Sequence, residues 1–371
     1  MKIAIIGGGA SGVLAAILIK KENIDHDVYI FEHENKLLKK LLATGNGRCN
    51  LGNAKIDINK YRNKDFAKNI LKGYNVKQTF SSLGIEIKNI DNLYYPYSES
   101  SQSVYNVLID NLDKLHVKIH LEENIIDYKS TNDKIELLTN KNKYEFDRLL
   151  IAVGGVSYPK LGSDGSFIDI IKKHNYKFDE FKPGLVALKT KQNNHMLSGT
   201  RAKCQVLLYK DNIATYKEMG EVIFKDEGLG GIVIMNISNI IANDINANYA
   251  LELDFIPDVK EEDMIEYISS YGKEAFLNAY LHPNIVKFFL KNNINPLFVK
   301  RLIFNVKGNY GFDNAQISVG GIEVDQITDN LESKIEKNVY FLGEIINVNG
   351  PCGGYNLTFA FACANKLKNL K

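Results

Sequence analysis

The apolar run Ile3-Ala4-Ile5-Ile6 leads directly into the glycine-rich turn Gly7-Gly8-Gly9-Ala10-Ser11-Gly12, and a helix-forming stretch from Val13 to Lys21 follows. A second apolar run, Val28-Tyr29-Ile30-Phe31, ends at Glu32, twenty residues after Gly12. Strand, tight turn, helix, strand and acid in this order specify a βαβ unit of the dinucleotide-binding kind. Gly7 permits the tight turn, Gly9 lets a pyrophosphate approach the backbone, and Gly12 permits close packing of helix on strand. Ala10 and Ser11 open the helix, whose free N–H groups and positive end attract phosphate. Glu32 is suited to accept hydrogen bonds from ribose hydroxyls and disfavours a 2′-phosphate. His33 is expected beside the adenosine rather than as a base.

Signals of the same kind recur far along the chain. Asp147 to Val153 reads as an apolar strand stopped by Gly154-Gly155, and Val339-Tyr340-Phe341-Leu342 is another, ending in Gly343-Glu344. Gly350 and Gly353-Gly354-Tyr355-Asn356 then precede a helix expected over Leu357 to Leu367. An NAD site needs nothing from this C-terminal part. A dinucleotide held by both ends of the chain points to FAD, and the helix N-terminus would face the pyrimidine edge of its ring and stabilise negative charge there. The candidate contacts in this part are Ala152, Gly154, Gly155, Gly343, Glu344, Gly353, Gly354, Tyr355 and Asn356, with Ile125 added from the middle of the first half.

Between these signals lies Ala43-Thr44-Gly45-Asn46-Gly47-Arg48-Cys49-Asn50. Gly47 lets this loop come close to a ligand, Arg48 is suited to neutralise a pyrophosphate or a charged flavin, and Asn50 to bind the cofactor edge. Cys49 is the candidate acid: a thiol beside an arginine is expected to have a lowered pKa and to donate a proton during double-bond reduction. The opposite reading, a small buried packing residue, stays open. Tyr94-Tyr95-Pro96-Tyr97-Ser98 is an aromatic turn suited to stack on a planar substrate or to form a satellite cluster.

These segments, with Ala152 to Gly162, Ile317 to Ile322 and Tyr340 to Ala362, resemble the bacterial BaiN/RdsA-like (YhiN-like, aminoacetone-oxidase-type) family of NAD(P)/FAD-dependent oxidoreductases. The resemblance spans nearly the whole chain. It implies an α/β fold: a Rossmann-like FAD-binding domain formed by both termini, with an inserted β-rich domain and a small helical domain. It also implies NAD(P)H as a transient reductant of FAD. Its members are linked to uridine reduction in ribosomal RNA, amine oxidation and steroid double-bond chemistry. The chain departs from the family pattern at Gly228-Leu229-Gly230-Gly231-Ile232, at Asn347, where an aspartate is common, and in the shortened Gly162-Ser163-Asp164-Gly165-Ser166.

The pattern of elements agrees with that order. Residues 1–184 read as the first part of the FAD domain and 185–257 as a β-rich insertion whose strand-like segments include Ile232 to Ile237. Residues 258–306 read as helical, with Asp258 as a cap for Lys260 to Tyr271 and a last helix from Pro296 to Phe304. Residues 307–371 return to the FAD domain. At 371 residues, the length fits two or three domains.

Composition excludes little but bounds the rest. The net charge is +2, from 46 basic and 44 acidic residues, so the total gives no electrostatic case for a polyanion. Two local basic groups, Lys36, Lys39, Lys40 and Arg48, and Lys182, Lys189, Lys191, Arg201 and Lys203, would suit an RNA substrate if brought together. Cys49, Cys204, Cys352 and Cys363 form no CxxC pair, which argues against zinc and a disulfide scaffold and for a reducing compartment. No metal spacing is present in the histidines. The uncharged run from Ile3 to Ile19 is too short to span a membrane, and cleaving it as a signal peptide would remove the phosphate turn, so a cytoplasmic location is expected. Reduction of a conjugated C=C bond is the leading reaction, with a uracil base in rRNA as substrate. Oxidation of a small amine by oxygen is the alternative, and a non-catalytic redox sensor a third. Oligomeric state is not legible.

Overall fold

The computed structural model describes residues 1–131, 133–192 and 194–370. They divide into two compact units, one formed by Met1–Lys182 together with the chain from Ile317 onward, the other by Pro183–Gln316.

The first unit is organised by a five-stranded parallel sheet: β1 (Lys2–Ile6), β2 (Asp27–Phe31), β3 (Lys118–His120), β4 (Arg148–Ile151) and β5 (Val339–Phe341). The spatial order is β5-β4-β1-β2-β3, so the direction of strand addition reverses between β1 and β4. Ligands of doubly wound sheets bind outside the carboxyl ends of the strands at such a reversal. Both faces of the sheet are covered, which is why β1, β4 and β5 are continuous apolar runs with no alternation. Helix α1 (Ala10–Glu22) is buried on every side from Ser11 to Lys20, as an all-apolar helix inside a core must be. It packs against α3 (Tyr355–Lys366), so the two termini share one core. The single lysine there, Lys20, is satisfied by donating to the carbonyls of Ile24 and His26 at 2.6 and 2.9 Å. A short helix, α2 (Lys39–Leu42), follows β2. The unit also holds two antiparallel three-stranded sheets, one of Gly52–Asn53, Ile87–Ile90 and Leu93–Pro96, the other of Ile125–Ser130, Ile135–Thr139 and Lys143–Phe146.

The second unit is a closed six-stranded barrel of Leu188–Thr190, Gly228–Gly230, Ile213–Lys225, Arg201–Lys210, Tyr249–Asp254 and Leu302–Asn309. Its interior takes alternate residues, among them Cys204, Val206, Leu208, Val222, Phe224, Leu251, Leu253 and Phe304. The helices Glu261–Tyr271, Lys273–Tyr280 and Pro283–Lys291 bury Met264, Phe276, Ile285 and Phe289 in that same core, so the helical segment has no core of its own.

Three local expectations fail. Ile232–Ile241 is a helix, not a strand: it buries Val233, Ile234, Ile237 and Ser238 on one face, and β-branched composition misled the periodicity argument. Gly231, at φ 99° and with the Glu221 carbonyl 2.2 Å from where a Cβ would stand, makes the strand-to-helix turn. Pro296 opens only a 3₁₀ turn ending at Lys300, after which Leu302–Asn309 closes the barrel. Asp258 does not cap Glu261–Tyr271; its N-cap is Lys260, without a side-chain bond.

Candidate cofactor crevice

The carboxyl ends of β1, β4 and β5 converge. Ala152 N donates to the Ile6 carbonyl at 2.8 Å and Leu342 N to that of Ile151 at 3.0 Å, so Gly7, the Ala152–Gly155 segment and Gly343-Glu344 emerge side by side. Space decides where glycine is needed. A Cβ on Gly7 (φ 101°) would stand 2.5 Å from the Ala152 carbonyl, and one on Gly12 would stand 2.1 Å from that of Gly7. A Cβ on Gly9, by contrast, would meet nothing within 4 Å. Protein atoms therefore demand Gly7 and Gly12, whereas Gly9 borders open space.

Gly9 is also the N-cap of α1, which has no side-chain cap and no acid in its first turn. Its first bond closed on the helix is Val13 N to the Gly9 carbonyl at 3.0 Å, so the N–H groups of Ala10, Ser11 and Gly12 point out of the helix end without intrahelical acceptors. Ser11 reaches the other end of the chain: its Oγ lies 2.8 Å from the Cβ position of Gly343, which is at φ 73°.

Glu32 stands at the tip of β2 with little exposure. Its Oε2 accepts from Gly8 N at 2.8 Å and its Oε1 from Glu34 N at 2.9 Å, which fixes the carboxylate against the turn. His33 Nδ1 is 3.2 Å from Glu32 Oε1, and its Nε2 is 3.9 Å from both Glu34 and Asp164. The backbones of Glu122 and Glu123 donate to the carbonyls of Glu34 and Glu32, both at 3.1 Å, which brings the half-buried Ile125 to the same neighbourhood.

At the other end of the crevice Glu344 is held from three sides. Oε1 accepts from Ser318 N at 2.8 Å and faces Ser157 Oγ at 3.5 Å, while Oε2 faces Lys40 Nζ at 3.0 Å. Gly155 lies against this node: a Cβ there would be 2.4 Å from Ser318 Oγ and 3.2 Å from Glu344 Cδ. Gly154, at φ 74°, flanks it. Lys40, Ser157 and Ser318 were not among the residues singled out for the cofactor; a partnership across 304 positions leaves no local pattern in the chain.

The Gly353-Gly354 turn (φ 98° and 85°) caps α3, again with no side-chain cap and no acid in the first turn. Gly354 packs backbone to backbone on Gly52, and Asn53 Nδ2 donates to the Gly353 carbonyl at 2.8 Å. The short strand Gly52–Asn53, which follows the loop of Arg48 and Cys49, therefore meets the C-terminal turn. Tyr355 and Asn356 do something other than expected with their side chains. The Tyr355 hydroxyl accepts from Asp57 N at 3.1 Å, and Asn356 exchanges two 2.9 Å bonds with the backbone of Gly350. Both side chains shape the turn rather than project from it. Close by, the buried Asn347 Oδ1 and Thr358 Oγ1 have no protein partner among the described residues.

The Cys49 thiol is buried and not acidified. Cys49 is fully buried at φ 60°, and burial pushes its thiol up to about 12 despite a hydrogen bond with Thr44. Arg48 is turned elsewhere: its Nε donates to Glu99 Oε2 at 2.7 Å and its guanidinium lies 4.5 Å from the Tyr95 ring centre. Glu99 also binds Lys88, at 2.7 Å, and these two cations hold its carboxyl below the usual range. An arginine spent on a neighbouring carboxylate does not acidify a thiol, so the premise for Cys49 and Arg48 as an acid pair is absent. Asn50 Oδ1 accepts from Gly52 N at 3.1 Å, which fixes the loop exit, while Gly47 (φ 83°) borders open space. Tyr95 supports Arg48 and Tyr97 is exposed.

The basic groups are largely neutralised in pairs. Lys39 binds Glu34 at 2.9 Å, Lys182 binds Asp179 at 2.7 Å, Arg201 faces Glu221 at 3.2 Å and Lys189 faces Glu227 at 3.5 Å. Lys36 lies over the Tyr105 ring at 4.5 Å. Among the described residues no helix is long and apolar enough to cross a membrane, and no group of three or more acidic, histidine or cysteine side chains could hold a metal ion.

A sequence model described as the HI0933-like protein Rossmann domain matches residues 1–367. Among curated proteins the chain is 30% identical to a 3-dehydro-bile acid delta(4,6)-reductase of Clostridium scindens, covering 97% of this chain and 96% of the relative. It is 23% identical to a ribosomal RNA dihydrouridine synthase of Haemophilus influenzae over the same shares, and 24% identical to that of Escherichia coli over 98% and 97%. Among solved structures, the E. coli quinol fumarate reductase chain FrdA aligns with a TM-score of 0.50 at 12% identity, over all of this chain and 70% of that one. That likeness concerns the fold.

Proposed function

Since the chain belongs to the HI0933-like Rossmann family and is an oxidoreductase, we propose that it is an FAD-dependent reductase of a carbon–carbon double bond conjugated to a carbonyl. The observation that carries the cofactor part of this reading is the open space at Gly9, between Gly7 and Gly12, which have no room for a Cβ, and at the uncapped start of α1; α3, from the far terminus, also begins without a side-chain cap.

The residues fit FAD from end to end. The N–H groups opening α1 and the uncluttered side of Gly9 suit a pyrophosphate. Glu32 has Oε1 engaged by Glu34 N and faced by His33, while Oε2, with one backbone donor, keeps capacity for a ribose hydroxyl. Glu344 is oriented for the hydroxyls of the chain between pyrophosphate and ring, and the start of α3 offers positive potential at the ring edge. The buried, unpartnered oxygens of Asn347 and Thr358 suit a polar group arriving there. Bound FAD supplies a two-electron carrier that NAD(P)H reduces and that delivers hydride to carbon. The protein's share is to hold that carrier, exclude water and admit one proton to the adjacent carbon. Cys49 keeps its proton throughout the physiological range and contributes packing to the loop.

Within this bond class, a uracil base in ribosomal RNA is the first substrate to test, supported by the full-length likeness to two dihydrouridine synthases. A flat steroid dienone is the second reading, favoured by the pairing of the basic residues that an RNA would need free. The test is anaerobic reduction of the purified holoprotein by NADH or NADPH, then reoxidation by unmodified rRNA, by a 3-oxo-4,6-diene steroid, or by an oxygenated buffer with a small amine present. Reoxidation by one conjugated substrate, with its saturated product, is the expected outcome. A protein that takes up no flavin, or a reduced protein that neither conjugated substrate reoxidises, overturns the proposal.

A further inference from the structure

We propose that Lys40 is a positioning residue for the dinucleotide: it sets and neutralises the Glu344 carboxylate, and its own place is fixed by the phosphate turn. This rests on the FAD reading above and adds a residue to it.

Lys40 lies on α2, a helix of four residues too short to hold itself, which Ser101 ties at one end by donating to the Leu42 carbonyl at 2.7 Å and the phosphate turn ties at the other. Leu38, in the left-handed region at φ 60°, donates its N–H to the Gly8 carbonyl at 2.9 Å, and the Leu37 side chain lies over Gly8. Anchored there, Lys40 sends Nζ to Glu344 Oε2 at 3.0 Å and to Ser157 Oγ at 2.6 Å. One ammonium group thus links the phosphate turn, the segment after β4 and the end of β5.

The electrostatics give the link a purpose. On the FAD reading Glu344 would lie along the chain between pyrophosphate and ring, next to the ligand's negative charge, and its side chain is 22% exposed against 27% for Lys40, so water screens it only in part. Unpaired, that carboxylate would repel the ligand and swing away from the Ser318 N–H. Paired, it presents a fixed acceptor with no net charge at the node.

The experiment is FAD titration of the apoprotein for wild type, Lys40→Met, Lys40→Arg, Glu344→Gln and the Lys40→Met/Glu344→Gln double variant, with thermal unfolding of each apo form. Lys40→Met is expected to weaken FAD binding about tenfold or more, the scale of one charge-assisted hydrogen bond. Lys40→Arg should restore most of the loss. The double variant should bind no worse than Lys40→Met, because the carboxylate left unpaired is gone. If Lys40→Met does not fold, Lys40→Gln, which keeps a donor for Ser157 without the charge, takes its place. Binding by Lys40→Met within twofold of wild type overturns the proposal, and so does a double variant whose losses simply multiply. A wild-type protein that binds no FAD instead overturns the cofactor reading, and this inference with it.

Discussion

Replacing His174 should expose a pH-dependent clamp in the first unit. The imidazole lies between two carboxylates: Nδ1 is 2.8 Å from Glu336 Oε1 and Nε2 is 3.0 Å from Asp127 Oδ1. Both nitrogens face carboxylate oxygens, an arrangement that favours the doubly protonated, cationic ring. Tyr128 stacks on it with ring centres 3.9 Å apart, and the hydroxyls of Tyr128 and Tyr176 donate to Glu336 Oε2 at 2.7 and 2.8 Å. Lys173 binds the other oxygen of Asp127. Burial lowers the pKa of His174, but the bonds to Glu336 and Asp127 outweigh it and the net direction is up from 6.5. Burial likewise raises Asp127 and Glu336, and their partners outweigh it to hold both below the usual range.

The signs then fix the pH window. A raised imidazole contributes its stability fully below about pH 6.5 and loses it as pH climbs through the folded value, whereas depressed carboxylates contribute above their ordinary range and lose it on acidification. Hydrogen bonds to ionised groups are worth roughly 1.5–3 kcal/mol each. Glu336 keeps two hydroxyl donors and Asp127 keeps Lys173, so His174→Gln should cost about 2–3 kcal/mol near pH 6. For a unit of this size that is a fall of roughly 5–10 °C in Tm. Differential scanning of wild type and variant from pH 5 to pH 9 should show the gap largest at about pH 6 and shrinking above it. His174→Phe keeps the ring stack and loses the charge, so it should behave like His174→Gln. A gap that is constant or widens with pH, or a His174→Phe protein as stable as wild type, would refute the clamp.

Two glycines of the turn should separate folding from binding. Gly9→Ala adds a methyl in open space at φ −81°, so Tm should stay within about 1 °C while flavin absorbance of the purified protein falls. Gly12→Ala drives a methyl into the Gly7 carbonyl and should lose about 1–3 kcal/mol of stability or more along with the flavin. Thiol labelling of the native protein at about pH 8 should modify Cys352 alone, since Cys49, Cys204 and Cys363 are buried and pushed up to about 12, while denaturant should release all four.

The parts of the fold written in local pattern were legible: β1, the turn, α1 and β2, because a strand buried on both faces and a helix buried all round leave unbroken apolar runs. The meeting of the two ends followed from duplicated strand–glycine signals, and the parallel register of β4 with β5 accords with it. The barrel read only as separate strands, since closure depends on pairings such as Leu188 with Leu229 that no short window contains. The helix Ile232–Ile241 was hidden by β-branched residues whose choice was made by the barrel they cover. In the crevice, glycines and Glu32 were visible because their roles depend on near neighbours. Lys40 and Arg48 were visible only as charges, because a carboxylate 304 or 51 positions away decides what each does.

The strand order has a consequence for synthesis. Until residues 339–366 leave the ribosome, β4 is an open edge and the face of α1 that α3 covers is bare, although both have existed since the first half of the chain was made. The nascent protein must therefore carry an exposed strand edge and an apolar helix face through translation of the whole barrel, a state prone to aggregation and open to chaperones. The crevice proposed for the cofactor is completed only when residues 339–366 have joined β4 and α1.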